Sequence, residues 1–255
     1  MIIKRNILFD PANEERILHI YLPDGYEDSD KRYPVMYCFD GHNLYLDEDA
    51  TYGKSWGFKQ FLDSWEKELI MVGVECSHTD RLNEYSPYDN KGGFLGELTG
   101  KGHETLDWMA NTLKPMIDKE YRTYSFREAT AICGSSMGGI MAIYAGVAFS
   151  DTFSKCACIS SAISYCMKPL LADIESYDIA EDTKFYLSWG EHEGGPWKVA
   201  PDVDSRAAIN NNKVAKHLQE KGALTRVVYQ PDGNHCEASW ELLVPEFMDY
   251  LWLNR

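Results

Sequence analysis

No run of 18 apolar residues occurs anywhere in the chain, which excludes a membrane-spanning helix of ordinary length. Basic residues are scarce relative to acidic ones, 25 against 40, for a formal charge of −15. That balance excludes nucleic acid as a partner, because phosphate backbones are bound through clusters of Lys and Arg. No CxxC pair and no His/Cys cluster at zinc spacing is present, so no metal and no cofactor are expected. Repeats, low-complexity tracts and Pro/Ser-rich linkers are missing as well, which leaves one domain over residues 1–255 as the simplest organisation. The start, Met1-Ile2-Ile3-Lys4-Arg5-Asn6, lacks a charged segment followed by an apolar one, so no secretory signal and a cytoplasmic location are expected.

What is present fits a soluble globular chain, with 44% apolar and 25% charged residues. The seven cysteines are Cys38, Cys76, Cys133, Cys156, Cys158, Cys166 and Cys236. Their odd number and apolar settings read as buried free thiols of a reducing compartment. Short β-like apolar runs alternate with helical ones. Arg16 to Leu22 alternates apolar and polar and reads as an early antiparallel strand ending at Pro23-Asp24-Gly25. Tyr33 to Phe39, Leu69 to Glu75, Thr130 to Cys133, Cys156 to Ser160, Lys184 to Trp189 and Thr225 to Tyr229 read as further strands. Helical spacing covers Trp56 to Trp65, the stripe Leu106, Met109, Leu113, Met116 and Ile117, then Met137 to Phe149, Ala207 to Lys221 and Glu237 to Leu253. This alternation predicts an α/β fold with a mostly parallel sheet and helices on both faces. Chemistry in such folds gathers at the carboxyl ends of the strands.

Gly134-Ser135-Ser136-Met137-Gly138 matches G-x-S-x-G between a strand and a helix. In that context the central serine sits on a strained turn and its small neighbours let backbones approach. Ser136 is therefore the candidate nucleophile, and Ser135 lies off the centre. A serine hydroxyl needs a general base, and the base an orienting acid. Of His192, His217 and His235, which follow Ser136, His217 lies within a helical stretch. His235 sits in the turn-rich loop Pro231-Asp232-Gly233-Asn234-His235 after the last strand and is the preferred base. Glu191 and Glu193 both qualify as the acid by chain order, while Asp202 and Asp204 are weaker candidates that read as caps of the next helix. Tyr45, Trp56, Tyr85, Trp197 and Trp240 lie near these loops, either lining a cleft or simply packing. Arg81 and Lys101 read as partners of nearby acids ahead of substrate contacts.

Several stretches resemble the putative-esterase (esterase D-like) group of α/β-hydrolases. They are Pro34 to Leu44 with its DGxN segment, Arg81 to Pro87, Leu113 to Asp118 with Tyr121-Arg122-Thr123, and Gly134 to Gly139. That group includes feruloyl and acetyl-xylan esterases, enterochelin-type esterases and the antigen 85 acyltransferases. The resemblance implies the α/β-hydrolase fold and a serine carboxylic-ester hydrolase. It implies Glu193 as the acid and His235 as the base. It also implies an oxyanion hole made by the backbone N–H groups of His42 and Met137. Small-molecule or oligosaccharide esters, acetylated or feruloylated carbohydrates among them, are the substrates it points to. An acyltransferase using an alcohol acceptor and a catalytically silent binding protein on the same fold are the alternatives. Nothing in the sequence bears on the oligomeric state.

Overall fold

The computed structural model of the chain describes residues 1–92, 95–193 and 200–255. Its strands are β1 (Ile2–Phe9), β2 (Glu14–Tyr21), β3 (Val35–Phe39), β4 (Ile70–Val74), β5 (Asn90–Lys91), β6 (Glu97–Leu98), β7 (Thr130–Ser135), β8 (Lys155–Ile159), β9 (Lys184–Gly190) and β10 (Leu224–Gln230). Its helices are α1 (Phe58–Ser64), α2 (Arg81–Glu84), α3 (Gly102–Trp108), α4 (Lys114–Glu120), α5 (Met137–Ala148), α6 (Met167–Ser176), α7 (Arg206–Glu220), α8 (Glu237–Glu241) and α9 (Val244–Leu253). Eight strands form one sheet in the order β1-β2-β4-β3-β7-β8-β9-β10, and β5 and β6 pair separately. The β1–β2 and β2–β4 pairs are antiparallel, and every other pair of the large sheet is parallel.

The period of two along each central strand divides the core between two faces. Val35, Tyr37 and Phe39 of β3 join one apolar cluster, with Ile132, Cys156 and Cys158. Met36 and Cys38 join the other, with Ala131, Cys133, Ala157 and Ile159. The first face is covered by Ile140 and Ile143 of α5, Ile117 of α4, Leu170 of α6 and Val214 and Leu218 of α7. The second is covered by Phe58 and Leu62 of α1 and by Trp240, Phe247 and Leu251 of α8 and α9. Each such side chain contributes about 1.5–3 kcal/mol on full burial. Because both faces are covered, central strands such as Val35–Phe39 and Ile70–Val74 are buried along their whole length. The α/β-hydrolase architecture read from the sequence is the one observed.

Several details differ from the sequence reading. The edge strand β1, the short elements α2, β5 and β6, and the ten-residue helix α6 are elements that the reading did not include. The terminal helix, read as continuous over Glu237 to Leu253, is two helices. Pro245 near the start of α9 has no N–H to donate, and the chain restarts there after Leu242 and Leu243. The cap of α7 is neither Asp202 nor Asp204 but Ser205, whose side chain accepts from the Ala208 N–H. Between α3 and α4, Met109–Leu113 forms a π-helical turn inside the expected helical stripe. The cysteines are all free, six of them buried and Cys236 half-buried. Among the described residues, no helix is long and apolar enough to cross a membrane.

Candidate active site

β7 ends in Gly134 and Ser135, and α5 begins at Met137, so Ser136 makes the whole turn between them. Its backbone has φ 57° and ψ −116°, a conformation that a non-glycine residue holds only when its surroundings enforce it. The enforcement is visible. The Ser136 N–H donates to the Ile159 carbonyl (3.0 Å), and the Ser136 carbonyl accepts from Ala162 N (3.0 Å) and Ile140 N (3.2 Å). Glycines on both sides of Ser136 are required by contact. A Cβ on Gly134 would lie 2.4 Å from the Gly138 oxygen, and one on Gly139 would lie 2.8 Å from the Ile159 oxygen. Ser136 is half-buried at the head of the helix, whereas Ser135 belongs to the strand and is buried. As the first residue of α5, Met137 has an N–H without an intrahelical acceptor, at the positive end of the helix.

The loops after β9 and β10 are laced together beside the sheet edge. Glu191 N donates to the Gln230 carbonyl (3.0 Å) and His192 N to the Gly233 carbonyl (2.8 Å). Gly190 and Gly233 pack backbone against backbone, since a Cβ on Gly190 would lie 2.5 Å from the Gly233 oxygen. Here the two candidate acids part. The Glu191 carboxylate accepts from Asp232 N (3.0 Å), a bond that lowers its pKa and commits it to shaping the loop. The Glu193 carboxylate is buried, with Oε2 3.6 Å from His235 Nδ1. That separation is an ion-pair approach, longer than a formed hydrogen bond, and such contacts often tighten only when substrate is bound. The other Glu193 oxygen accepts from Ser160 Oγ at 2.6 Å. The half-exposed His235 ring stands edge-on to Trp240, with centroids 5.2 Å apart. Of the other histidines weighed, His217 lies on α7 with its Nδ1 3.6 Å from Glu175, and His192 is exposed.

The third part of the site is the turn after β3. Asp40 is left-handed (φ 54°) and leads into a single 3₁₀ turn, Gly41–Asn43. Only glycine fits at 41, because a Cβ there would lie 2.6 Å from the Gly73 carbonyl carbon of the neighbouring strand. Arg81 grips the Asp40 carboxylate with both Nε (2.7 Å) and Nη2 (2.6 Å). Burial opposes the Arg81 charge, and Asp40 more than offsets it, so the guanidinium pKa is raised. Tyr85 Oη accepts from Asp40 N (3.2 Å). Asn43 accepts from Thr51 N (2.9 Å) and donates to Glu237 Oε1 (3.3 Å), joining this turn to the segment that carries His235. The His42 side chain is bonded to Thr51 Oγ1 (2.9 Å), and burial lowers its pKa.

The aromatic residues named as possible cleft walls are mostly core. Tyr45, Trp56, Tyr85 and Trp240 are all buried, and Trp197 lies outside the described residues. Arg81 and Lys101 pair with Asp40 and Asp80. Residues that the sequence reading did not single out are Ser160, Asp40, Asn43 and Glu237. Asp40 and Asn43 do lie in the DGxN segment, but their partners are distant in the chain.

Residues 11–235 match the family model described as "Putative esterase". The chain belongs to that family. Membership makes the chain a carboxylic-ester hydrolase. Among curated proteins, the chain is similar to the uncharacterized protein YbbA of Bacillus subtilis (strain 168), 23% identical over 80% of this chain and 78% of that one. Among solved structures, it resembles an IroE-like serine hydrolase from Shewanella oneidensis, with a TM-score of 0.78, 21% identity and coverage of 98% of this chain and 80% of that one. It also resembles the siderophore hydrolase EstA from Aspergillus nidulans, with a TM-score of 0.72, 19% identity and coverage of 100% and 95%. At these identities the structural likeness establishes the fold.

Proposed function

We propose that the chain hydrolyses small carboxylic esters through Ser136, with His235 as general base and Glu193 as the acid that orients it. Ser136 Oγ attacks the ester carbonyl carbon while His235 takes its proton. The tetrahedral oxyanion accepts from the backbone N–H groups of His42 and Met137, where one such donor is worth roughly 3–4 kcal/mol in a well-studied protease. His235 then returns the proton to the leaving alcohol, and an acyl-serine remains. Water repeats the sequence, with His235 taking its proton, and the carboxylic acid departs. Glu193 holds the imidazole in the tautomer that leaves Nε2 free to accept.

The observation that carries this reading is the backbone of Ser136. A strained serine between a strand and the positive end of a 12-residue helix has no structural use there that a glycine would not serve better. The Glu193–His235 approach supports it from the other side of the site. We propose a small-molecule or oligosaccharide ester as substrate. Acetylated and feruloylated sugars follow from the family, and siderophore esters from the likeness to EstA.

The test is a panel of acetyl, feruloyl and siderophore esters, run with wild type, Ser136→Ala and Ser135→Ala. Ser136→Ala should abolish both turnover and labelling by a fluorophosphonate, while Ser135→Ala keeps most of each. Turnover that survives in purified Ser136→Ala overturns the nucleophile.

A further inference from the structure

Ser160 follows the last residue of β8 and adopts φ 47°, a left-handed backbone that serine seldom takes. Its N–H donates to the Ser188 carbonyl of β9 (3.0 Å), so the residue is anchored to the sheet. Its side chain is buried and fully engaged. Ser160 Oγ accepts from Trp240 Nε1 (2.9 Å) and donates to Glu193 Oε1 (2.6 Å).

The direction of this relay follows from the inventory of donors. An indole nitrogen only donates, and a carboxylate only accepts. With one proton on the hydroxyl, a single arrangement satisfies all three groups. It runs from Trp240 N–H to the Ser160 oxygen, and from the Ser160 O–H to the carboxylate. The two Glu193 oxygens are thereby divided, Oε1 to Ser160 and Oε2 towards His235 Nδ1. Trp240 serves both ends, since its ring also packs against the His235 ring with the two planes at 85°. A buried carboxylate without such a bond would be free to turn, and it would carry an uncompensated desolvation penalty.

We propose that Ser160 is a positioning residue for ester hydrolysis: its hydroxyl, oriented by the Trp240 indole, holds the Glu193 carboxylate at the angle from which it aligns His235. This inference rests on the assignment of Ser136, His235 and Glu193 made above. Ser160 touches no reacting atom and acts only through Glu193.

The experiment is a double-mutant cycle on a chromogenic acetyl ester, with rates normalised to active sites counted by fluorophosphonate. Ser160→Gly removes the hydroxyl and relieves the left-handed backbone, which offsets part of the cost of leaving Trp240 Nε1 and Glu193 Oε1 unpaired, and thermal unfolding checks that the variant is folded. It should lower kcat by roughly 10–100-fold, the usual cost of losing a group that orients a functional side chain, with KM within about twofold of wild type. Trp240→Phe keeps the ring against His235 and loses the N–H, and should fall between wild type and Ser160→Gly. In a Glu193→Gln background, Ser160→Gly should cost no more than about twofold, because its route of action is already gone. A merely structural role would instead multiply the two losses. Wild-type kcat in Ser160→Gly alongside a crippled Glu193→Gln overturns the role of Ser160 and leaves the acid standing. Wild-type kcat in Glu193→Gln overturns the acid assignment, and the role of Ser160 with it.

Discussion

Replacing Gly134 with alanine perturbs the elbow without touching the serine. The new Cβ would lie 2.4 Å from the Gly138 oxygen, 2.5 Å from its carbonyl carbon and 2.9 Å from its Cα. All three are backbone atoms in the first turn of α5, so no rotamer change relieves the contact. Ordinary contact begins near 3.4 Å, so the head of α5 must retreat from β7. It has little room, because Gly139 is already set against the Ile159 oxygen and Ser161. Overpacking of this kind costs about 1–3 kcal/mol. At roughly 2–4 °C per kcal/mol for a chain of this size, Tm should fall by roughly 2–12 °C. The larger effect is on rate. Ser136 moves with the helix, and a displacement of ~1 Å at a reacting group costs ~10²-fold. Gly25→Ala is the control. Gly25 has a left-handed φ of 72°, yet a Cβ added there would meet no atom within 4 Å, so strain of about 1–2 kcal/mol arises far from the elbow. Initial rates per titrated active site and thermal unfolding, measured on both variants, separate the two effects. Gly134→Ala with wild-type kcat, or Gly25→Ala with an equal loss of kcat, would refute the reasoning.

Glu193→Gln should lower kcat by at least ~10², against ~10⁴ for loss of the acid in a well-studied serine protease, while Glu191→Gln should cost less than ~10-fold. The reverse ranking in steady-state kinetics would move the acid to Glu191. Burial raises the Glu237 carboxyl above its ordinary value, and Asp40 adds to the rise. The native state then keeps this proton to higher pH than the unfolded chain. The associated stability is complete below the unfolded titration and is lost as pH rises through the native one. Glu237→Gln retains an acceptor for Asn43 and cannot titrate. Its stability by urea denaturation should therefore decline less than that of wild type between about pH 4 and 7. Parallel profiles for the two proteins would show that this carboxyl is not what titrates.

The parts of the fold that were legible are those whose pattern is local. Runs such as Val35–Phe39 are apolar throughout because both faces of the sheet are covered, and a period of two on two buried faces leaves no polar position. β1 was illegible because it is an edge strand. Lys4, Arg5 and Asn6 interrupt its apolar residues, and the strand is defined by its pairing with β2. The break at Leu242 and Leu243 was marked by Pro245, but the apolar spacing continues across it. In the site, the elbow was readable because five consecutive residues carry it. The different surroundings of Glu191 and Glu193 were not, because Asp232 and His235, about 40 positions away, meet different carboxylates. Ser160 had no signal at all. Its partners stand 33 and 80 positions off, and a serine after a strand has no pattern of its own.

The contact between Gly190 and Gly233 has a consequence for how such an enzyme changes over time. Loops at the carboxyl end of a sheet ordinarily lengthen and shorten freely, and new specificities arise that way. These two loops touch through bare backbone and share hydrogen bonds, so a residue inserted between Gly190 and Glu193, or between Gln230 and His235, would wedge them apart. Chain length there is held constant by geometry. Change is thereby pushed to other segments, which can be exchanged without resetting the separation of Glu193 and His235.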